Sequence, residues 1–172
     1  MKRYKIEEFL QGKKLTVYSI REIFDNNVFD SNNETEKFFF NIKSSHPDDY
    51  NIFKAVLKNM INKSGAKRKF FRDETNPDCD YLYALINNYD ENRHYKGELR
   101  LFCLNFDVDK LILGNGGIKK TKTFNEDPKL NTIARILQKL CSEIIDKEKT
   151  GDIYWKNGKL KSLTDLIFEI EL

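Results

Sequence analysis

The sequence has few of the residues that cross-link small folds or bind metals. It contains three cysteines, two histidines and one tryptophan among 172 residues. Cys79, Cys103 and Cys141 are far apart and form no CxxC pair, so neither a disulfide framework nor a zinc site is expected. The glycines at 114, 116 and 117 match neither GxGxxG nor a Walker loop. We therefore expect no metal and no cofactor.

Long apolar runs are also missing. The first residues, MKRYKIEEFL, lack the apolar stretch of a signal peptide, and no segment approaches the length that spans a bilayer. We expect a cytoplasmic protein with no membrane partner. A strong excess of one charge is absent too, because 30 basic and 27 acidic residues give a net charge of only +3. A nucleic-acid role must then come from local clustering of basic residues.

Apolar residues are plentiful, with 13 Phe and 8 Tyr in a chain that is 40% hydrophobic. Residues 14–20 predict a strand and residues 25–33 a loop. Residues 34–43 predict a helix. A second helix follows, with Ser45 as N-cap, Pro47 in its first turn and Gly65 after its end.

The clearest strand signal lies in residues 98–106, where Leu99, Leu101, Cys103 and Asn105 alternate with Arg100, Phe102, Leu104 and Phe106. Residues 81–87 predict a preceding strand. Residues 107–110 predict a tight turn into a strand at 111–113, after which the glycines predict a bulge.

Asp127-Pro128 predicts the start of a long helix that ends before Gly151, and Asn157-Gly158 predicts a hairpin turn. Residues 162–172 fit a short helix or a strand. The order predicts an α+β fold: a small antiparallel sheet covered on one side by the N-terminal helices, with an extra long helix and a C-terminal hairpin. We expect residues 1–149 to form the domain and residues 150–172 an extension packed on it.

Basic residues gather around the predicted strand at 98–106. Arg100 lies within it, Lys119, Lys120 and Lys122 follow its partner strand, and His94, Tyr95 and Lys96 precede it. Antiparallel pairing brings both groups to one rim of the sheet, where arginine and lysine can bind phosphate oxygens. A lysine or histidine there can also transfer a proton, and Tyr95 or Phe124 can stack on a base.

Simpler interpretations stand beside this one. Arg100 can pair with a carboxylate on a neighbouring strand, and lysines after a strand often belong to solvated turns. His94 can be an ordinary loop residue. The basic run of Lys67, Arg68, Lys69 and Arg72 offers further contacts to RNA, but it can equally be a cluster that complements a helix end.

The strand LRLFCLNF, the segment LILGNGGIKKTKT and the helix KLNTIARILQKL resemble the HigB-like branch of the RelE/ParE toxin superfamily. The resemblance covers about residues 81–140. In that branch a strand arginine precedes a paired-lysine turn and a helix with a central alanine, and Arg100, Lys119, Lys120 and Ala134 match these positions. The RelE-like β-α-α-β-β-β order is similar as well. The GNGGIKK turn is richer in glycine, and the C-terminal catalytic tyrosine or histidine of many members has no counterpart.

The resemblance implies the toxin of a type II toxin–antitoxin pair, which cuts mRNA on the ribosome without a metal and is neutralised by a cognate antitoxin. It gives Arg100, Lys119 and Lys120 the catalytic role by position, and His94 or Tyr95 can assist proton transfer. Two alternatives remain: a non-catalytic module of the same fold that binds RNA or protein, and an interaction protein without a nucleic-acid role. Steep salt dependence of binding separates phosphate contacts from the last alternative.

Overall fold

The computed structural model describes residues 1–86 and 99–172, and gives the following element bounds there. The strands are β1 (Lys2–Gln11), β2 (Thr16–Ile23), β3 (Phe71–Asp73), β4 (Leu82–Leu85), β5 (Leu99–Asp107), β6 (Lys110–Ile118), β7 (Ile153–Lys156), β8 (Lys159–Ser162) and β9 (Ile167–Ile170). The α-helices are α1 (Glu34–Ser45), α2 (Pro47–Asn59) and α3 (Pro128–Thr150). A π-helical turn (Met60–Ser64) and two 3₁₀ turns (Arg68–Phe70 and Phe124–Glu126) join them.

Seven of the strands in the described ranges form one mixed sheet in the order β3-β4-β5-β6-β2-β1-β9. The central pair, β2 and β6, runs parallel, with Val17 opposite Leu111. The other pairs of this sheet are antiparallel. An α+β fold is therefore confirmed, but the expectation of a purely antiparallel sheet is wrong. Parallel strands need a long crossover connection, and here the helices α1 and α2 begin it.

Strand β5 alternates as its sequence predicts, and both of its faces are buried. Leu101 and Cys103 lie in the core beneath α1 and α2, whereas Phe102 and Leu104 lie in a second core beneath α3. Helices thus cover both faces of the sheet, and the expectation that they cover one side is wrong. The apolar stripe of α3 fills the second core, which also accommodates Leu160 from the β7–β8 hairpin.

The start of α1 follows from its sequence. Asn33 is the N-cap: its side chain accepts a hydrogen bond from the Glu36 amide (2.9 Å), and the Glu36 carboxylate accepts one from the Asn33 amide (2.8 Å). Helix α2 begins at Pro47, as expected, but Ser45 is not its N-cap. Ser45 ends α1 instead, and its hydroxyl donates to the carbonyl oxygen of Asn41 (3.0 Å).

A bulge near Gly114 shapes the end of β6. Leu101 pairs with Gly116 but Cys103 pairs with Leu113, so β6 has one residue more than β5 at this point. At Gly116 a Cβ atom would lie 1.8 Å from the carbonyl oxygen of Arg100, so the close approach of the two strands requires glycine. The predicted bulge is confirmed, and β6 continues past it to Ile118.

The C-terminal third contains a capped helix, a hairpin and an edge strand. Asp127 caps α3 by accepting from the Lys129 amide (3.0 Å) and the Leu130 amide (3.1 Å), and Gly151 ends the helix in the left-handed conformation. Asn157 and Gly158 both have positive φ, which confirms the predicted hairpin turn. Residues 162–172 contain strand β9, which pairs with β1.

Within the described ranges, no α-helix combines the length and the apolar character that crossing a membrane requires.

Candidate functional site

The candidate site lies where β5 begins and β6 ends. Arg100 pairs in register with Gly117, and Leu99 pairs with Ile118, so the chain after Ile118 leaves the sheet beside Arg100. The Arg100 side chain is only 3% exposed. Its Nη1 donates a hydrogen bond to the carbonyl oxygen of Leu99 (3.1 Å). Strand alternation places Arg100 on the α3 side of the sheet, the side of Phe102.

A carboxylate faces this arginine. Glu74 follows β3, and its Oε1 lies 3.6 Å from Arg100 Nε and 3.3 Å from Arg72 Nε. The Glu74 amide donates to the carbonyl oxygen of Leu82 (3.2 Å), which extends the β3–β4 pairing and fixes the residue beside the sheet. Arg100 therefore pairs with a carboxylate, as the simpler interpretation expected, but Glu74 follows β3 and does not lie on a strand next to β5.

Lys119 completes the group. Burial lowers the pKa of its ammonium, and the charges of Arg72 and Arg100 lower it further. Burial raises the pKa of the Glu74 carboxyl, although the charges of Arg72, Arg100 and Lys119 act in the opposite direction. We call Arg72, Glu74, Arg100 and Lys119 the Glu74 cluster. Its inner part is closed, with Glu74 11% exposed, whereas Arg72 is 42% exposed.

The Glu74 cluster has the composition of an acid–base site that accepts an anion. Arginine and lysine can hold the oxygens of a phosphate group. A carboxylate with a raised pKa is a stronger base than an ordinary one, and an ammonium with a lowered pKa is a stronger acid. The cluster can therefore bind phosphate and exchange protons with what it binds.

Lys120 does not join this cluster. It lines a separate cleft of about 500 Å³ between the C-terminal end of α1, the end of β6 and the start of α3. We call this the Lys120 cleft; its other polar lining residues are Asn41, Ser45, His46, Asp127 and Lys129. Arg100 and Lys119 belong to the Glu74 cluster and Lys120 lines this cleft, so the expectation that all three share one pocket stays a prediction.

The remaining predicted contacts are dispersed. Lys122 is exposed. Phe124 is half-buried and packs edge-to-face on Phe102, with ring centroids 5.4 Å apart, so its ring is held at the border of the α3-side core. Its contact residue Phe102 lies on the same face of β5 as Arg100, two residues along the strand.

The basic run divides between the two faces of the sheet. Arg72 belongs to the Glu74 cluster, whereas the guanidinium of Arg68 lies over the ring of Tyr83 at 4.4 Å, on the side of α1 and α2. Lys69 lies over Phe70 at 5.2 Å. Lys67 is exposed. The predicted site residues His94, Tyr95 and Lys96 lie outside the described residues.

Sequence reasoning missed Glu74. The segment from Asp73 to Asp80 looks like an acidic turn, which hides the residue among other carboxylates. The available signal was period two: Arg72 and Glu74 are two residues apart, so an extended chain puts them on one face. Among the residues that the structure describes, no group of three or more His, Cys, Asp or Glu side chains is arranged to hold a metal ion.

Comparisons with known proteins add no relative: no family model matches the chain, and no curated protein or solved structure matches it either.

Proposed function

We propose that this chain is a metal-independent endoribonuclease that acts on mRNA at the Glu74 cluster, as the toxin of a toxin–antitoxin pair acts on mRNA in the ribosome. The observation that carries the proposal is that the Glu74 carboxylate pairs with both Arg72 and Arg100, and that the charges of all three act on Lys119. Its natural partners are mRNA on the ribosome and a cognate antitoxin protein.

The proposed reaction is attack of the RNA 2′-oxygen on the adjacent phosphorus. Glu74 accepts the proton of the 2′-hydroxyl, and Lys119 donates a proton to the departing 5′-oxygen. The products are a 2′,3′-cyclic phosphate and a 5′-hydroxyl end. Arg72 and Arg100 stabilise the negative charge on the phosphorane oxygens. Each of the four residues then has one role, and the exposed Arg72 marks the side from which RNA enters.

Induction in cells followed by primer-extension mapping of mRNA tests this proposal. The wild type should arrest growth and produce cuts in phase with codons. The double variant Arg72→Ala/Lys119→Ala should do neither. The matched control is Arg68→Ala/Lys120→Ala, which removes the same residue types from the α1 and α2 side and from the Lys120 cleft, and it should keep both effects.

A second candidate is an RNA-binding module that does not cleave. The burial of Arg100 and its pairing with Glu74 favour this candidate, because a guanidinium that stays paired cannot stabilise the phosphorane charge, whereas the more exposed Arg72 can still bind a phosphate. It predicts growth effects without codon-phased cuts, and RNA binding that falls steeply with salt. Cuts that persist in Arg72→Ala/Lys119→Ala would argue against the Glu74 cluster under either candidate.

A further inference from the structure

An apolar groove lies away from the Glu74 cluster, between α1, α2 and the end of β1. Its volume is about 760 Å³. Its apolar lining residues include Phe9, Leu10, Phe39, Phe40, Tyr50 and Ile61. Phe9, Leu10, Phe39 and Ile61 are half-buried and pack against the core beneath α1 and α2. The groove is therefore a concave apolar surface beside the core, which the described residues leave open.

A bulge in β1 contributes two adjacent side chains to this lining. Glu8 pairs with Tyr18 and Leu10 pairs with Val17, so Phe9 is an extra residue in β1. In a regular strand, neighbours point to opposite faces. The bulge redirects them, so that Phe9 and Leu10 both line the groove.

The rim of the groove is positively charged. Lys43 from α1 and Lys54 and Lys58 from α2 line it, against one acid, Glu36. The ammonium of Lys54 lies 5.1 Å from the centre of the Tyr50 ring, a cation–π contact that holds this charge at the groove. An apolar interior with a cationic rim complements a molecule that is apolar along its length and anionic at one end.

We propose that this groove binds an amphiphile of the long-chain carboxylate class, with its chain on Phe9, Leu10 and Phe39 and its head group at the lysines. The proposal is independent of RNA cleavage. The groove volume falls within the range of small-molecule sites, about 300–1,000 Å³. Apart from the groove lining, which includes Phe40, the exposed large apolar side chain on α1 and α2 is Ile52, at 42% exposure. A stable protein interface needs about 800 Å² from each partner, which favours a small ligand.

Titration of the full chain with laurate, below its micellar concentration, tests the proposal. Calorimetry gives the affinity, and amide NMR shifts locate the site. Laurate should bind one to one and shift the amides of residues 9–10 and 36–61. Dodecyltrimethylammonium has the same chain and the opposite charge, so it should bind at least about tenfold more weakly.

Three variants locate the two halves of the ligand. Ala55→Trp fills the groove from an exposed helix position, so it should abolish binding while the fold is kept. Lys43→Gln/Lys54→Gln/Lys58→Gln should lose about tenfold in laurate affinity and the preference for an anion. The matched control, Lys139→Gln/Lys156→Gln/Lys161→Gln, changes the net charge equally at exposed positions elsewhere and should bind like the wild type.

Several results would overturn the assignment. One is the absence of laurate binding to the wild type. Another is equal binding of the two detergent-like probes, or laurate affinity that Ala55→Trp leaves intact. A third is an acidic amphipathic peptide that binds the groove when laurate does not, which would assign it to a protein partner instead.

Discussion

Lys119 and Lys120 are neighbours in the sequence, yet different groups surround their side chains. Lys119 lies on the α3 side, where burial and the charges of Arg72 and Arg100 lower its pKa while the charge of Glu74 raises it. Lys120 is exposed and lines a cleft between the ends of α1, β6 and α3. The comparison shows that adjacent lysines in one basic turn can have different surroundings and therefore need not act at the same site. Within the Glu74 cluster, burial and the neighbouring charges shift the pKa values of Glu74 and Lys119, which suits proton transfer.

The largest expected effect concerns the proposed base. Glu74→Gln keeps the shape of the side chain but cannot accept a proton as a carboxylate does, so the cleavage rate should fall by about 10²–10⁴-fold. Asp73→Asn is the control, because Asp73 is one residue away and caps the Thr75 amide (2.8 Å). Single-turnover cleavage of mRNA on ribosomes measures both. Equal losses of cleavage rate in Glu74→Gln and Asp73→Asn would contradict a specific role of Glu74 as the base.

Arg100→Ala and Arg72→Ala compare the contributions to stability of the buried and the exposed arginine of the Glu74 cluster. Arg100→Ala leaves the carboxylate of Glu74 buried without its inner partner, so unfolding in urea should show a loss of about 3–5 kcal/mol. Arg72 is 42% exposed, and Arg72→Ala should cost about 1 kcal/mol or less. A loss below about 1 kcal/mol in Arg100→Ala would mean that the buried pairing contributes little.

Alanine substitutions at the adjacent glycines Gly116 and Gly117 test how closely β6 approaches the backbone of β5 and the side chains of α3. Gly116→Ala places its Cβ against the Arg100 carbonyl oxygen, which belongs to the backbone and cannot move alone, so we expect a destabilisation of about 1–3 kcal/mol. Gly117→Ala meets a Leu130 methyl group at 3.3 Å, which can shift, and should cost less. Thermal unfolding of both variants measures the difference. The reverse order would contradict the bulge geometry.

The smallest effect is the pH dependence of cleavage. The proposed mechanism needs a deprotonated Glu74, so the rate should rise with pH through a pKa above the usual glutamate range. Lys119 must be protonated, so the rate should fall through a pKa below the usual lysine range. Replacing Arg72 by Gln removes a charge that lowers the pKa of Lys119, so the alkaline limb of the pH–rate profile should move to higher pH. A pH–rate profile of the two proteins shows whether that limb moves.

Local signals predicted much of the fold. The alternation of β5, the Asp127-Pro128 start of α3 and the Asn157-Gly158 turn each depend on a few adjacent residues. Strand β1 was missed, because its charged residues and its bulge at Phe9 interrupt the period of two. The parallel pairing of β2 with β6 joins residues about ninety positions apart, and no local pattern records it.

The candidate site was predictable only in part, for a related reason. Arg100 and Lys119 came from one hairpin, whose antiparallel pairing predicts their proximity. Glu74 and Arg72 come from β3 and the residue that follows it, and β4 lies between β3 and β5. The order of strands in the sheet brings these residues opposite Arg100, and no local sequence pattern predicts that order. The separation of Lys119 from Lys120 depends on the path of the chain after β6.

The most direct test of the account is the cleavage rate of Lys119→Ala against that of Lys120→Ala, measured in single turnovers with mRNA on ribosomes. The account predicts a loss of about a hundredfold or more for Lys119→Ala, because the proton donor is removed. It predicts a change of less than about threefold for Lys120→Ala, since a surface lysine in a separate cleft supplies only weak, salt-screened attraction. A larger loss in Lys120→Ala than in Lys119→Ala would contradict the assignment of the site to the Glu74 cluster.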